Sequence, residues 1–231
     1  MNKGFAVAID GPVASGKGTL AQALANKLGG FFINTGAMYS AVALLCLERS
    51  IDLTKETEVV KVLRDINIEF KNQKIILNGG DISERIKEPD IAAGSSIVAS
   101  YSSIRKDLAD KQQKIAQNII GEGKIVVVEG RDIGIRVLPD ANIKIFLTAD
   151  LEVRAKRRLE QYKTKGIQKE FAQILDETKI RDERDTTREI DPLPSNPAAS
   201  GYWVLDTSNQ SEHETIRAVM EELEKRGLIS D

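Results

Sequence analysis

Gly11-Pro12-Val13-Ala14-Ser15-Gly16-Lys17-Gly18-Thr19 is the stretch that decides the reading of this chain. It leaves a short apolar run, Phe5 to Ile9, and enters a helical pattern from Gly18 to Leu28. A glycine-rich turn in that setting lets backbone amides close around phosphate oxygens, and the helix N-terminus adds a positive dipole. Lys17 then neutralises charge between the β- and γ-phosphates of a bound nucleotide. All nine residues are expected to contact ATP or GTP. The bland alternative, a glycine-rich turn with an exposed lysine, requires neither the strand before nor the helix after. The generic motif places Ser or Thr directly after the lysine, whereas here Gly18 intervenes and the hydroxyl comes at Thr19. Mg²⁺ is expected to be held mainly by phosphates and water, with Thr19 the candidate protein ligand.

Outward from the loop, further apolar runs rich in branched residues recur at Phe31 to Ile33, Ile125 to Val128, Ile143 to Leu147 and Tyr202 to Leu205. They read as buried strands. Helical segments separate them, around Arg105 to Ile120 and from Glu212 to Arg226, the last opened by the Ser211/Glu214 spacing of a capping box. Alternation of this kind predicts an α/β fold: a five-stranded parallel sheet with helices on both faces. Two regions break the rhythm. Ile66 to Phe70 and Lys74 to Leu77 flank a polar Lys-Asn-Gln connection and precede Gly79-Gly80, which predicts a small inserted antiparallel sheet. From Leu151 to about Arg188, two helix-like segments joined at Gly166 carry balanced charge, eleven Lys/Arg against ten Asp/Glu between Glu152 and Asp191. Most of that is a solvated face.

Composition narrows the function. The 231 residues are 29% charged yet sum to −2, so no global field draws the chain to nucleic acid or an anionic membrane. One cysteine, Cys46, leaves no disulfide framework, and one histidine, His213, leaves no Cys/His metal cluster. They read as a core thiol and a surface helix residue. The apolar run at Phe5 is too short for a signal-peptide core or a membrane span, and a cytoplasmic location is expected. Without an extended apolar surface pattern, a monomer is expected. Tyr202 and Trp203 read as strand residues, and Asp10 as either a structural cap or an organiser of the loop and its metal-bound water.

The Gly-Lys-Gly-Thr variant resembles nucleoside monophosphate kinases, and four further stretches narrow the resemblance to bacterial-type cytidylate kinases. These are Ile9-Asp10-Gly11-Pro12, Thr35-Gly36-Ala37-Met38-Tyr39, Glu129-Gly130-Arg131-Asp132-Ile133-Gly134 and Arg181-Asp182-Glu183-Arg184-Asp185-Thr186-Thr187-Arg188. They span most of the chain in the family's order. The resemblance implies a P-loop NTPase fold in a single kinase domain. An acceptor-binding insert would lie at about residues 66–95 and a helical lid at about 151–170, where the two irregular regions fall. It implies ATP as donor, Mg²⁺, and CMP and dCMP as acceptors, with no nucleic-acid or membrane partner. Matched position by position, Thr35, Ser96, Arg105, Arg131, Asp132, Arg181, Asp185 and Arg188 would bind the acceptor, with Lys17, Arg131 and Arg188 catalytic. A carboxylate such as Asp132 and a donor such as Arg105 suit cytosine's amino group and ring nitrogen better than uracil's reversed pattern. Asp185 would accept from sugar hydroxyls, and Arg131 and Arg188 would grip phosphate. The lid arginines Arg154, Arg157 and Arg158 have two readings, phosphate contact or solvated helix face. Two positions depart from the family: Ser40 where it usually has Arg, and Ile135 where it commonly has Thr.

A phosphate monoester is already largely anionic at neutral pH, so the acceptor needs no general base, consistent with a chain whose only histidine is His213. What transfer between two anions requires is charge neutralisation and in-line placement. A guanine-nucleotide switch would need an Asn-Lys-x-Asp segment, but Asn26-Lys27 continues Leu-Gly. A kinase for a hydroxyl-bearing metabolite, with Asp132 as base, and a UMP-preferring enzyme remain as alternatives at this point.

Overall fold

The computed structural model describes residues 4–71 and 74–230. The chain opens with β1 (Ala6–Asp10), α1 (Lys17–Lys27), β2 (Phe31–Asn34), α2 (Thr35–Glu48) and α3 (Glu56–Val62). The inserted region carries β3 (Ile68–Lys71), β4 (Lys74–Leu77), β5 (Gly80–Asp81) and α4 (Pro89–Val98). There follow α5 (Ser102–Gly121), β6 (Val126–Glu129), β7 (Ile143–Thr148), α6 (Leu151–Thr164), α7 (Phe171–Thr187), β8 (Trp203–Asp206) and α8 (Glu212–Lys225).

Five strands form one parallel sheet in the order β2-β6-β1-β7-β8. This is the P-loop NTPase arrangement, with the loop-bearing strand at the centre. Alternation along β1 serves both faces. Phe5, Val7 and Ile9 pack with Leu20 and Leu24 of α1 and Val219 and Leu223 of α8. Ala6 and Ala8 join Val126, Val128, Ala109 and Ala116 beneath α5. Register aligns the carboxyl ends of three neighbouring strands, pairing Ile9 and Asn34 with Glu129. Ligand sites of open α/β sheets lie at that edge.

The small antiparallel sheet expected from the sequence is present as β3-β4-β5, with Ile68 opposite Leu77. Asn72 and Gln73 of its connection lie outside the described residues. This sheet packs on a second core shared by α2, α3, α4 and the start of α5, including Met38, Leu44, Val62, Leu77 and Ile91. Gly166, at φ 71°, turns the chain between α6 and α7. Ser211 and Glu214 form the capping box of α8, His213 is exposed, and Cys46 is a buried free thiol. Tyr202 lies one residue ahead of β8 instead of within it. No helix among the described residues is long and apolar enough to cross a membrane.

Candidate active site

The loop between β1 and α1 is held tightly against the sheet. A side chain on Gly11, at φ 145°, would put its Cβ 2.0 Å from the Leu147 carbonyl oxygen, so only glycine fits. Gly16 caps α1 in the left-handed conformation. Lys17 is buried and donates to the Pro12 carbonyl at 2.7 Å. Burial, reinforced by the charge of Arg131, lowers its pKa to about 7, although Glu129, Asp185 and Asp10 pull the other way.

A cavity of about 440 Å³ runs from Lys17 and Thr19 across the sheet edge to α4, α5 and α7. It brings together residues spread over most of the chain: Thr35, Ser96, Arg105, Arg131, Asp132, Arg181, Asp185 and Arg188 all line it. The reasons are local. Arg131 and Asp132 follow β6 directly, while Arg181 and Asp185 are four residues apart on one face of α7, with Arg188 at its end. Thr35 opens α2 and its hydroxyl donates to the Glu129 carbonyl at 2.7 Å.

Two carboxylates organise the cations. Asp132 accepts from Arg105 at 2.5 Å, both side chains being buried, with an Arg188 guanidinium nitrogen 3.9 Å from its other oxygen. Asp185 accepts from Arg131 Nε at 2.7 Å and lies 3.6 Å from Arg188. Burial pushes Asp185 up, but Arg131, Arg181 and Arg188 outweigh it and hold the carboxyl below its ordinary range. Arg188 is further fixed by two donations to the Asp191 carbonyl. Arg181 differs: it forms no ion pair within contact distance among the described residues. Burial, then the neighbouring charge of Arg131, lowers its pKa to about 10, with Arg158 adding to the effect. Concentrated like charge on this scale is a receptor for anions.

The three arginines of α6 diverge. Arg154 is buried and donates to the Ala149 carbonyl, to the Val13 carbonyl of the loop and to Asp182 at 2.5 Å. Asp182 also accepts from the Val13 amide at 3.4 Å. Arg158 lines the cavity that holds Lys17 and Asp132, with its guanidinium 5.8 Å from the Tyr162 ring centroid. Arg157 faces a second cavity of about 600 Å³ on the other side of the loop, where it donates to the Thr207 carbonyl at 2.7 Å. Leu20, Val153 and Ile216 supply that cavity's apolar walls.

The cytidylate kinase family model matches residues 7–225. The chain belongs to the cytidylate kinase family. Over 219 residues it is 42% identical to the cytidylate kinase of Caldanaerobacter subterraneus subsp. tengcongensis, covering 95% of this chain and 94% of that protein. It is 41% identical to that of Oceanobacillus iheyensis over 229 residues, covering 97% and 96%. Among solved structures, an uncharacterized protein from Eubacterium ventriosum shares the fold at a TM-score of 0.55 and 15% identity, covering 96% of this chain and 99% of that one.

Within this cytidylate kinase framework, several residues at the site have no role assigned from the sequence. Tyr39, buried and raised to about 12 chiefly by that burial, sits 5.8 Å from the Arg105 guanidinium. Glu129 ends β6 as a buried carboxylate raised by burial against the opposing charges of Lys17 and Arg131. Lys165, just past α6, donates to the Lys87 carbonyl at 3.0 Å, joining the α6–α7 turn to the inserted region. The two departures from family pattern fall differently. Ser40 is packed inside α2, donating to the Gly36 carbonyl at 3.2 Å. Ile135 is 43% exposed and is not among the residues that line the cavity.

Proposed function

We propose that the protein transfers the γ-phosphoryl group of ATP to CMP and dCMP, forming CDP and dCDP. The observation that carries this reading is the single cavity in which Lys17 of the loop shares space with Asp132, Arg105, Asp185 and Arg181, the last without an ion pair among the described residues. In this reading Asp132 and Arg105 recognise the cytosine edge, with Ser96 adding a contact. Asp185 accepts from the sugar, and Arg131, Arg181 and Arg188 hold the acceptor phosphate or the group in transit. Thr35 shapes the same wall. The donor occupies the loop from Gly11 to Thr19, with its base in the second cavity, where apolar walls and the planar Arg157 cation suit an aromatic ring.

The chemistry follows from charge. An ionised acceptor oxygen attacks the γ-phosphorus as the bond to the β–γ bridging oxygen breaks, and ADP leaves. No residue has to remove a proton. Lys17, Arg131 and Arg188 offset the negative charge of two converging anions. Mg²⁺ fits the oxygens beside the loop: Glu129's carboxylate comes within 3.3 Å of where a Gly18 Cβ would stand, and no hydrogen bond to it forms among the described residues. Thr19 and Glu129 would hold the ion, directly or through water, and it would neutralise phosphate charge. Residues 66–95 act here as the acceptor-binding insert. Residues 151–170 act as a lid whose closure excludes water, with Arg158 reaching the phosphates. A cytoplasmic monomer working in pyrimidine nucleotide metabolism, without nucleic-acid or membrane partners, completes the proposal.

The test is ADP formation from ATP and Mg²⁺ with CMP, dCMP, UMP, AMP, GMP or no acceptor at equal concentrations. CMP and dCMP should stand well above the rest. Equal use of UMP would overturn the roles given to Asp132 and Arg105, and turnover without acceptor would overturn the kinase reading.

A further inference from the structure

The last residue of β1 is a carboxylate that the phosphate-binding motif does not explain. Asp10 has no exposed surface, and three donors converge on it. The Ile133 amide donates to Oδ1 at 2.9 Å. The Gly134 amide and the Tyr202 hydroxyl donate to Oδ2 at 2.8 and 2.7 Å. None belongs to the loop that Asp10 precedes. Two come from the turn immediately after Arg131 and Asp132, and the third comes from the segment leading into β8.

The surroundings are built for this contact. A Cβ on Gly134 would stand 2.8 Å from the Tyr202 hydroxyl oxygen, so a side chain there would expel the phenol. Tyr202 is fixed edge-on against Phe146, ring centroids 5.9 Å apart. The Asp132 carbonyl accepts from the Arg136 amide at 2.8 Å, which closes the turn around the two anchored amides.

We propose that Asp10 is a positioning residue for the acceptor: by fixing the Ile133 and Gly134 amides it sets the register at which Asp132 meets Arg105 and Arg131 meets Asp185. This rests on the reading that Arg131 and Asp132 contact the acceptor. An ionised carboxylate accepts from all three donors at once, whereas an isosteric amide turns an N–H toward at least one of them. Small displacements of a substrate-holding pair cost rate steeply.

The experiment compares the wild type with Asp10→Asn and Tyr202→Phe. It reads amide hydrogen exchange in the substrate-free protein, ATP affinity by calorimetry, and kcat and KM for CMP. In Asp10→Asn, exchange at Ile133 and Gly134 should accelerate and the KM for CMP should rise about tenfold or more, while ATP affinity stays within about twofold. Tyr202→Phe, which loses one donor of three, should fall between the two. If ATP affinity drops in parallel with CMP use, Asp10 serves the phosphate loop and the proposal fails. Unchanged exchange, or an unchanged KM for CMP in an active variant, overturns it as well. A wild type that does not phosphorylate CMP sinks the functional reading instead, and the exchange comparison still decides whether Asp10 holds the turn. If Asp10→Asn does not fold, the same readouts on Tyr202→Phe decide.

Discussion

Arg131 and Asp185, 54 residues apart, meet at 2.7 Å and tie the end of the central sheet to α7. Each is less than one-fifth exposed, so the pair is shielded but still reachable from the cavity. The pair holds Arg131 in place, and in the proposed function the remaining lone pairs of Asp185 accept from the acceptor sugar. Asp185→Ala should lower kcat/KM for CMP by about 30-fold, or about 2 kcal/mol, as expected for a lost charge-assisted hydrogen bond. The ATP dissociation constant should hardly move. Equal losses for both substrates would show that the residue supports the whole domain instead of the acceptor.

Lys17 makes a prediction about protons. With its pKa lowered to about 7 by burial and by Arg131, much of the lysine is neutral above that pH. Triphosphate binding restores its charge. Calorimetry in buffers of different ionisation enthalpy should therefore show uptake approaching one proton per ATP near about pH 8.5, where ATP itself is fully ionised, and little near about pH 6. Lys17→Met should abolish the uptake. An absence of uptake in the wild type at the higher pH would mean the lysine stays charged before ATP arrives.

The phosphate loop was legible because it is local: strand, glycines, lysine and helix are consecutive, and each does its work through backbone conformation. The capping box Ser211/Glu214 was legible for the same reason. By contrast, α2 left no periodic signal, since eleven of its residues from Thr35 to Cys46 are buried and no polar face marks the turns. The proposed acceptor residues were visible only through family resemblance, because Asp132 and Arg188 come together through tertiary packing. The contact between Asp10 and Tyr202 spans 192 positions. Nothing in either residue's neighbours announces it.

Arg154 illustrates the same limit and yields a stability prediction. From sequence it was one of three arginines on a charged helix. In the fold its side chain is 8% exposed and bridges α6, Asp182 of α7 and the Val13 carbonyl. Arg154→Met keeps the aliphatic stem but strands the Asp182 carboxylate beside the loop. Breaking one partner of a buried pair typically costs about 3–5 kcal/mol. Because Asp182 keeps some exposure to solvent, the expected loss lies near the lower end, about 3 kcal/mol by urea unfolding. A loss below about 1 kcal/mol would place Arg154 with ordinary surface arginines.

Asp10 contributes to stability with a pH dependence opposite to that of most carboxylates. Burial raises its pKa from 3.8 to about 6, with the charge of Asp132 adding to the rise, while the Gly134 and Ile133 amides and the Tyr202 hydroxyl oppose it. The charge of Asp10 in turn favours the charged form of Lys17. Between those two values the folded protein holds a proton the unfolded chain has released. This contribution is therefore fully present below about pH 4 and is lost as pH rises through about 6. At 1.36 kcal/mol per unit the loss is about 3 kcal/mol. Salt-bridged carboxylates such as Asp90 change in the other direction, so the quantity to measure is the difference between wild type and Asp10→Asn. Urea unfolding across about pH 4 to 7 should show the wild type losing about 3 kcal/mol relative to the variant. A flat difference would mean the three donors fully offset burial. A falling one would mean that the chain accepts a less stable fold at neutral pH to keep an ionised carboxylate behind Asp132, the trade expected where a side chain serves the site and not the core.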